Sequence, residues 1–434
     1  MSDLYDAFIA RGPEGVVTDS RKVSAGDIFF ALRGENHDGN LYAAAALETG
    51  AALAVVDDRF AESPAGRETE DDARYVVVPD TLSALQRLAR YHREKLGIPV
   101  IALTGSNGKT TTKELLARVL GVKFNVGATR GNLNNHIGVP LTLLSFGRET
   151  EFGIVEMGAN HFGEITDLCN IALPEFGIIT NIGKAHLEGF KNLRGVRKAK
   201  GELFDYLAST GGRAFYAADD PVVEEMVHWR PALDAVPYSL ESFALEDAGE
   251  EQGRLAVEIG GRRLATRMVG AYNIRNVVTA LAIGRYFDVD RELALEAIAS
   301  YEPDNNRSQK VVTARNTLYM DAYNANPSSM AAALENFSMM SAPHKIVILG
   351  DMLELGDSSS EEHRHIVELA AQGGYRRVLL VGEQFAGVTG EGPFKTFGNI
   401  GELTEYLSSE KIKGANILIK GSRGIGLEKV AAAL

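Results

Sequence analysis

The chain has 434 residues, 45% of them hydrophobic and 24% charged, with a formal net charge of −13 at pH 7. That length allows roughly two to four domains with ample core, and the acidity excludes the broad basic face that nucleic-acid binding needs. One cysteine, Cys169, excludes an intramolecular disulfide or a cysteine-ligated zinc; with a polar start and no apolar run of membrane-spanning length, a cytoplasmic protein without membrane insertion is expected.

From Thr18 to Pro79 the pattern predicts a small α/β unit. Its strands are Ile28 to Leu32, Ala52 to Val56 and Tyr75 to Val78, with a helix over Leu41 to Leu47. The charged stretch from Arg59 to Arg74 reads as a solvated, mobile loop. Ser20 and Arg21 stand on a polar connection that suits a ligand, although taken alone a turn or cap explains it better. An amphipathic helix over Leu82 to Leu96 leads into a second domain near Gly97.

There, Val100 to Leu103 is an apolar run too short for a helix, with Pro99 at its start: a buried parallel strand. The turn Gly105-Ser106-Asn107-Gly108-Lys109-Thr110-Thr111 follows, and then Leu115, Leu116, Val119 and Leu120 recur at helical spacing. Strand, glycine turn and helix N-terminus together make a phosphate cradle, with Lys109 for the outer phosphates and the Thr110 hydroxyl for magnesium. The motif is contracted, because Leu103 occupies the place of the usual first glycine.

Strands at Phe152 to Glu156 and Phe176 to Thr180 end in polar residues, so Glu156, Asn160, Asn181 and His186 fall where open α/β sheets bind ligands. Glu156 serves either as a magnesium ligand or as one half of an ion pair. Taken singly, His186 reads better as a packed or surface histidine. On a helix from Val196 to Leu207, Lys200 shares a face with Val196, Leu203 and Leu207 and points inward. An inward lysine tends towards a neutral, nucleophilic amine, although the wheel alone favours a snorkelling side chain. Asn273 is placed to cap the helix beginning at Ile274, which leaves Asn276 unexplained, and Asp290 to cap the next. A hinge is expected over Pro303 to Gln309, carrying Arg307.

The last third alternates again, with strands at Leu318 to Met320, Ile346 to Leu349, Val378 to Val381 and Ile417 to Ile419. This predicts a second parallel, Rossmann-like sheet. Its strands end in Asp321-Ala322-Tyr323-Asn324-Ala325-Asn326-Pro327, Gly350-Asp351-Met352-Leu353-Glu354-Leu355-Gly356 and Lys420-Gly421-Ser422-Arg423.

These segments, with Thr129 to Asn135, Glu156-Met157-Gly158-Ala159 and Ala199-Lys200-Gly201-Glu202, resemble the Mur ligase family over nearly the whole chain. The resemblance implies three α/β domains: 1–97 for a UDP-sugar peptide, 98–309 a central P-loop ATPase with a mainly parallel sheet, and 310–434 closing over ATP and acceptor. It implies ATP-dependent amide ligation through an acyl phosphate. The Asn-Ala-Asn-Pro and Gly-Asp-Met-Leu-Glu-Leu-Gly stretches favour the branch whose substrates are UDP-N-acetylmuramoyl-tripeptide and D-alanyl-D-alanine, working as a monomer.

By the same resemblance Lys109, Glu156, His186 and Lys200 are catalytic. Thr110 and Glu156 hold one magnesium ion; His186 and a CO2-derived carbamate on Lys200 hold a second. Gly105 to Thr111, Asn273, Asn276, Arg307 and Asp321 bind ATP, while Ser20, Arg21, Asn134, Asn135, Tyr323, Asn324, Asn326 and Arg423 bind the other substrates. Tyr272 stands where the family usually has histidine, Ala322 where it has serine and His136 where it has an acid. Rival readings are a ligase adding the tripeptide's third residue, a folylpolyglutamate synthase, or a P-loop switch that ligates nothing.

Overall fold

Short apolar runs bounded by glycine, proline and acidic caps become the buried strands of three successive, mainly parallel sheets. The computed structural model describes residues 2–12, 15–69, 71–251, 253–304, 306–390 and 392–434.

The first sheet consists of β1 (Val16–Val17), β2 (Ile28–Phe30), β3 (Leu53–Asp57) and β4 (Tyr75–Val78), in that order and all parallel. Parallel neighbours need crossovers, and helix Ala43–Thr49 supplies the one between β2 and β3. The stretch expected as a mobile loop is in part helical, over Asp58–Glu62 and Pro64–Glu68. Its capping chemistry explains the correction: Asp57 accepts from the Phe60 N–H, Ser63 from the Gly66 N–H, and Pro64 sits at the first helical position. Glu70 of that stretch lies outside the described residues. Helix Thr81–Leu96 is capped by Asp80, ends on left-handed Gly97, and buries Leu85, Leu88 and Ala89. From its last turn Arg93 reaches the Glu175 carboxylate at 2.6 Å, tying this unit to the next.

The second sheet has β5 (Val100–Thr104), β6 (Val126–Ala128), β7 (Phe152–Glu156), β8 (Phe176–Ile179), β9 (Arg213–Ala217) and β10 (Asp234–Tyr238). All are parallel, in the order β10-β9-β8-β5-β7-β6. From β5 the chain builds first to one side and then to the other. The carboxyl end of β5 is therefore the switch point where such sheets open a crevice.

Beyond this sheet lies an antiparallel meander that the sequence reading passed over, β11 (Leu245–Glu251), β12 (Arg254–Ile259) and β13 (Arg262–Ala265). Leu255, Val257 and Ile259 of β12 are buried, but the acidic residues of β11 mask the alternation. Asp290 accepts from the Leu293 N–H as expected. Asn273 does not cap its helix: its amide is used inside the protein, as described below.

The third sheet comprises β14 (Gln309–Val312), β15 (Thr317–Asp321), β16 (Lys345–Gly350), β17 (Arg377–Val381), β18 (Phe394–Phe397) and β19 (Asn416–Lys420). The order is β14-β15-β19-β16-β17-β18, and only the β14–β15 pair is antiparallel. Both edge strands were missed, since half-exposed edges tolerate the polar residues of Gln309-Lys310 and Lys395-Thr396. The expected hinge is irregular as far as Ser308 and then becomes β14; its Asn305 lies outside the described residues.

Candidate active site

The carboxyl end of β5 opens onto a cavity of about 870 Å3 between the second and third sheets. The phosphate loop forms its floor. Gly108 adopts a left-handed conformation (φ +79°), and a Cβ there would lie 2.6 Å from Asn276 Oδ1, so only glycine fits. The loop is braced against the end of β8: the Ser106 N–H donates to the Asn181 carbonyl, the Asn107 N–H to Asn181 Oδ1 at 3.0 Å, and Thr180 Oγ1 to the Asn107 carbonyl at 2.7 Å. Helix Lys109–Leu120 begins directly after it.

Lys109 folds back, its Nζ donating to the Gly105 carbonyl at 2.6 Å. Burial pushes this ammonium below its ordinary pKa, against the pull of Glu156. Glu156 closes β7 with 1% of its surface exposed. Its Oε2 accepts from Thr110 Oγ1 at 3.0 Å, its Oε1 from Asn134 Nδ2 at 2.9 Å, and its own N–H donates to Thr129 Oγ1. A hydroxyl and a carboxylate oxygen in contact are hard donors, a set that suits a magnesium ion keeping several waters.

Behind the wall formed by Ala159, Lys200 is fully buried on helix Leu193–Thr210. Its Nζ donates to the Ala159 carbonyl at 3.2 Å and lies 5.5 Å from the centre of the Phe190 ring. Burial, helped by Lys109, lowers its pKa to about 7. The inward reading thus prevails over the snorkelling one: Lys200 is buried along its whole length together with Val196 and Leu203 of the same face. His186, in a left-handed conformation, heads the short helix Leu187–Phe190, and its Nδ1 lies 2.5 Å from Glu354 Oε2 of the third unit. The imidazole holds the Glu354 carboxyl below the usual carboxylate range. As an amine, Lys200 offers a cation no oxygen. Among the described residues no three His, Cys, Asp or Glu side chains converge on a metal position.

Asn273 and Asn276 both line the cavity, with amides already engaged. Asn273 Nδ2 donates to the Val269 carbonyl and to Ser308 Oγ, and Asn276 Nδ2 donates to Asn273 Oδ1 at 2.7 Å. Tyr272 bonds Ser308 Oγ through its hydroxyl. On the opposite wall Asp321 is paired with buried Lys420 at 2.6 Å. The Arg307 guanidinium lies 3.7 Å over the Tyr323 ring, whose hydroxyl accepts from Arg423 at 3.3 Å. Asn135 Oδ1 accepts from the Ile137 and Gly138 N–H groups, while Asn324 and Asn326 complete the wall.

The fold brings most of the expected residues to one cavity; Gly105, Thr110, Lys200 and Arg423 do not line it, and neither do Ser20 and Arg21. The last two lie on a turn of the first unit, where the Arg21 side chain is 86% exposed and paired with Asp19. Sequence reasoning named Glu354 and Lys420 only as members of polar strand ends, with no role of their own, and missed the Lys184–Glu362 pair (2.5 Å) across the seam. All but Glu362 stand on strand ends or the loops after them, the signal that picked out their neighbours.

Three family descriptions match in succession: "Mur ligase family, catalytic domain" over residues 14–93, "Mur ligase middle domain" over 103–284, and "Mur ligase, glutamate ligase domain" over 306–423. The UDP-N-acetylmuramoyl-tripeptide--D-alanyl-D-alanine ligase of Bacillus subtilis is 34% identical over 428 residues, spanning 96% of this chain and 92% of that protein. A crystal structure of MurF from Acinetobacter baumannii superposes with a TM-score of 0.83 at 30% identity, covering 96% of this chain and 92% of that one. MurF from Thermotoga maritima in complex with ADP gives 0.81 at 26% identity, covering 96% of each.

Proposed function

This chain belongs to the Mur ligase family, and we propose that it uses ATP to join D-alanyl-D-alanine to UDP-N-acetylmuramoyl-tripeptide, making the pentapeptide precursor of peptidoglycan. One observation carries the reading: Lys109, Thr110 and Glu156 gather at the switch point of one sheet and face Asp321, Tyr323 and Asn324 of another across a single cavity.

The tripeptide's terminal carboxylate attacks the γ-phosphorus of ATP and ADP leaves. The dipeptide amine then attacks the acyl phosphate, losing a proton as phosphate departs. Carboxylate and triphosphate repel each other, so the first step needs positive charge held in place. Lys109 supplies it by exchanging the Gly105 carbonyl for phosphate oxygens. Magnesium bound at Thr110 and Glu156 would neutralise further charge. Asn273 and Asn276 border the adenine, Asp321 the ribose and Arg307 the phosphates. Asn134 and Asn135 border the tripeptide, and Tyr323, Asn324 and Arg423 the dipeptide. Ser20 and Arg21, in a unit spanning 1–97, would hold the UDP-sugar, with further divisions at 98–309 and 310–434.

CO2 adds to a neutral amine with loss of a proton and leaves anionic oxygens. A Lys200 held near pKa 7 suits that reaction, and the product would give His186 a hard partner for a second magnesium ion. Since ATP and UDP-linked sugars are cytoplasmic compounds, the enzyme is read as cytoplasmic. It is read as a monomer because one chain furnishes the described walls of the cavity.

The deciding experiment is phosphate release from ATP with the UDP-tripeptide, with and without D-alanyl-D-alanine. Release that needs both, with pentapeptide formed, is expected; release indifferent to the dipeptide would refute the assignment. In the same assay, Lys200→Ala should lose activity that a short carboxylate in solution partly restores, and an unimpaired variant would remove the carbamate from the scheme.

A further inference from the structure

Asn326 heads the helix Pro327–Met339, and nearly all of its bonding capacity is committed. Its Oδ1 accepts from the Ser329 N–H at 2.9 Å, and its own N–H donates to Ser329 Oγ at 3.1 Å, a reciprocal cap. Its Nδ2 crosses the seam and donates to Asn107 Oδ1 of the phosphate loop at 2.8 Å. Asn107 is fixed through its main chain by Thr180 and Asn181, so its side chain is the part of that residue free to face the third unit.

The next residue strengthens the join. Ser328 Oγ accepts from the Lys184 N–H at 3.0 Å and stands 2.8 Å from where a Cβ on Gly183 would lie. Gly183 in turn exchanges hydrogen bonds with Ser106 Oγ at 2.9 Å. The first turn of this helix therefore rests on the loop that would surround the phosphates and on the segment bracing it. A dipeptide could use the Asn326 amide only by breaking the cap or the link to Asn107.

We infer that Asn326 is a positioning residue: it ties the phosphate loop to the third unit, so that nucleotide loading and the seating of that unit are one event. The inference rests on the reading that a nucleotide occupies the loop. Ordering Asn107 around phosphates favours the side-chain geometry that Asn326 bonds, and by linkage a seated third unit tightens nucleotide binding by the same factor.

The test uses the full chain labelled with a fluorescent pair at Ser209→Cys and Ser408→Cys, exposed positions on the second and third units. Cys169 is buried and stays silent. ADP or a non-hydrolysable ATP analogue is titrated with neither sugar peptide nor dipeptide present, so ligase activity does not enter the readout. The parent chain should close as nucleotide binds. Asn326→Ser keeps a good cap and hence the melting temperature, but loses the reach to Asn107; it should need about five-fold more nucleotide and close less fully. Asn107→Ser should do the same, and the double variant should be no worse than the weaker single one. A parent chain that binds nucleotide by calorimetry with no change in transfer, strictly additive variants, or an Asn326→Ser that binds nucleotide and closes as the parent does would each overturn the inference; a parent chain that binds no nucleotide at all would instead refute the reading of the loop on which the inference rests.

Discussion

The two walls of the cavity are built differently. On the second unit, Glu156 is held by Thr110, Asn134 and Thr129, and the main chain of the phosphate loop by Thr180 and Asn181, all bonds internal to that unit; only the Asn107 side chain reaches outward among these. On the third unit, polar groups either pair with each other, as Asp321 does with Lys420, or reach across the seam, as Asn326, Glu354 and Glu362 do. Reaction chemistry needs groups whose positions survive substrate exchange, while an acceptor must be able to enter and leave. The internal wall is pre-organised for the first task, and the cross-bonded wall can move for the second.

The largest effect should come from the internal wall. Glu156→Gln keeps the shape and the partner for Asn134 Nδ2 but removes the charge facing Thr110. A fall of about 10²–10³-fold in kcat is expected, with the melting temperature close to that of the parent. Wild-type turnover would mean that the fixed wall is scaffolding only.

That wall was also the more legible in the sequence. Val100 to Lys109 announces strand, turn and helix within ten residues, because a phosphate loop is local chemistry. The bonds that join the cross-bonded wall across the seam link partners more than 100 residues apart, such as Asn107 with Asn326 and His186 with Glu354, and no local period encodes such pairs. The same limit hid the meander: Leu255, Val257 and Ile259 of β12 join a core shared with Leu115 and Leu116, far away in the chain, and with Val277 and Leu281, beyond the strand's own period. Lys200 was half legible. The wheel showed that it points inward, while the Phe190 ring and Ala159 carbonyl that deny it water were visible only in the fold.

Lys200 also gives the next largest expectation, this time in stability. Its folded pKa of about 7 lies below the ordinary 10.5, so between those values the unfolded chain holds a proton that the folded chain lacks. The parent's stability therefore rises with pH across that window, and the cost of burying the group is full below about pH 7. Lys200→Met avoids the cost. It should be inactive yet more stable by ~2–4 kcal/mol near pH 7, the gain shrinking as pH approaches 10. Calorimetry across that range checks the slope; a gain that does not change with pH would mean the amine is not desolvated in solution.

The smallest effect belongs to the seam, and its asymmetry is informative. Glu362 is 6% exposed while its partner Lys184 is half exposed, 2.5 Å away. Lys184→Ala strands a buried carboxylate, whereas Glu362→Gln leaves only an ammonium already in contact with water. If the third unit were rigidly fixed, the stranded charge would appear as lost melting temperature. Because this wall is joined by bonds that cross the seam, a cheaper response is available: the unit swings out and lets water reach Glu362. Lys184→Ala should therefore enlarge the radius of gyration in solution scattering and raise the KM for ATP several-fold with little loss of melting temperature, and Glu362→Gln should do both more weakly. Equal effects from the two variants, or a drop in melting temperature without expansion, would place this wall with the rigid one.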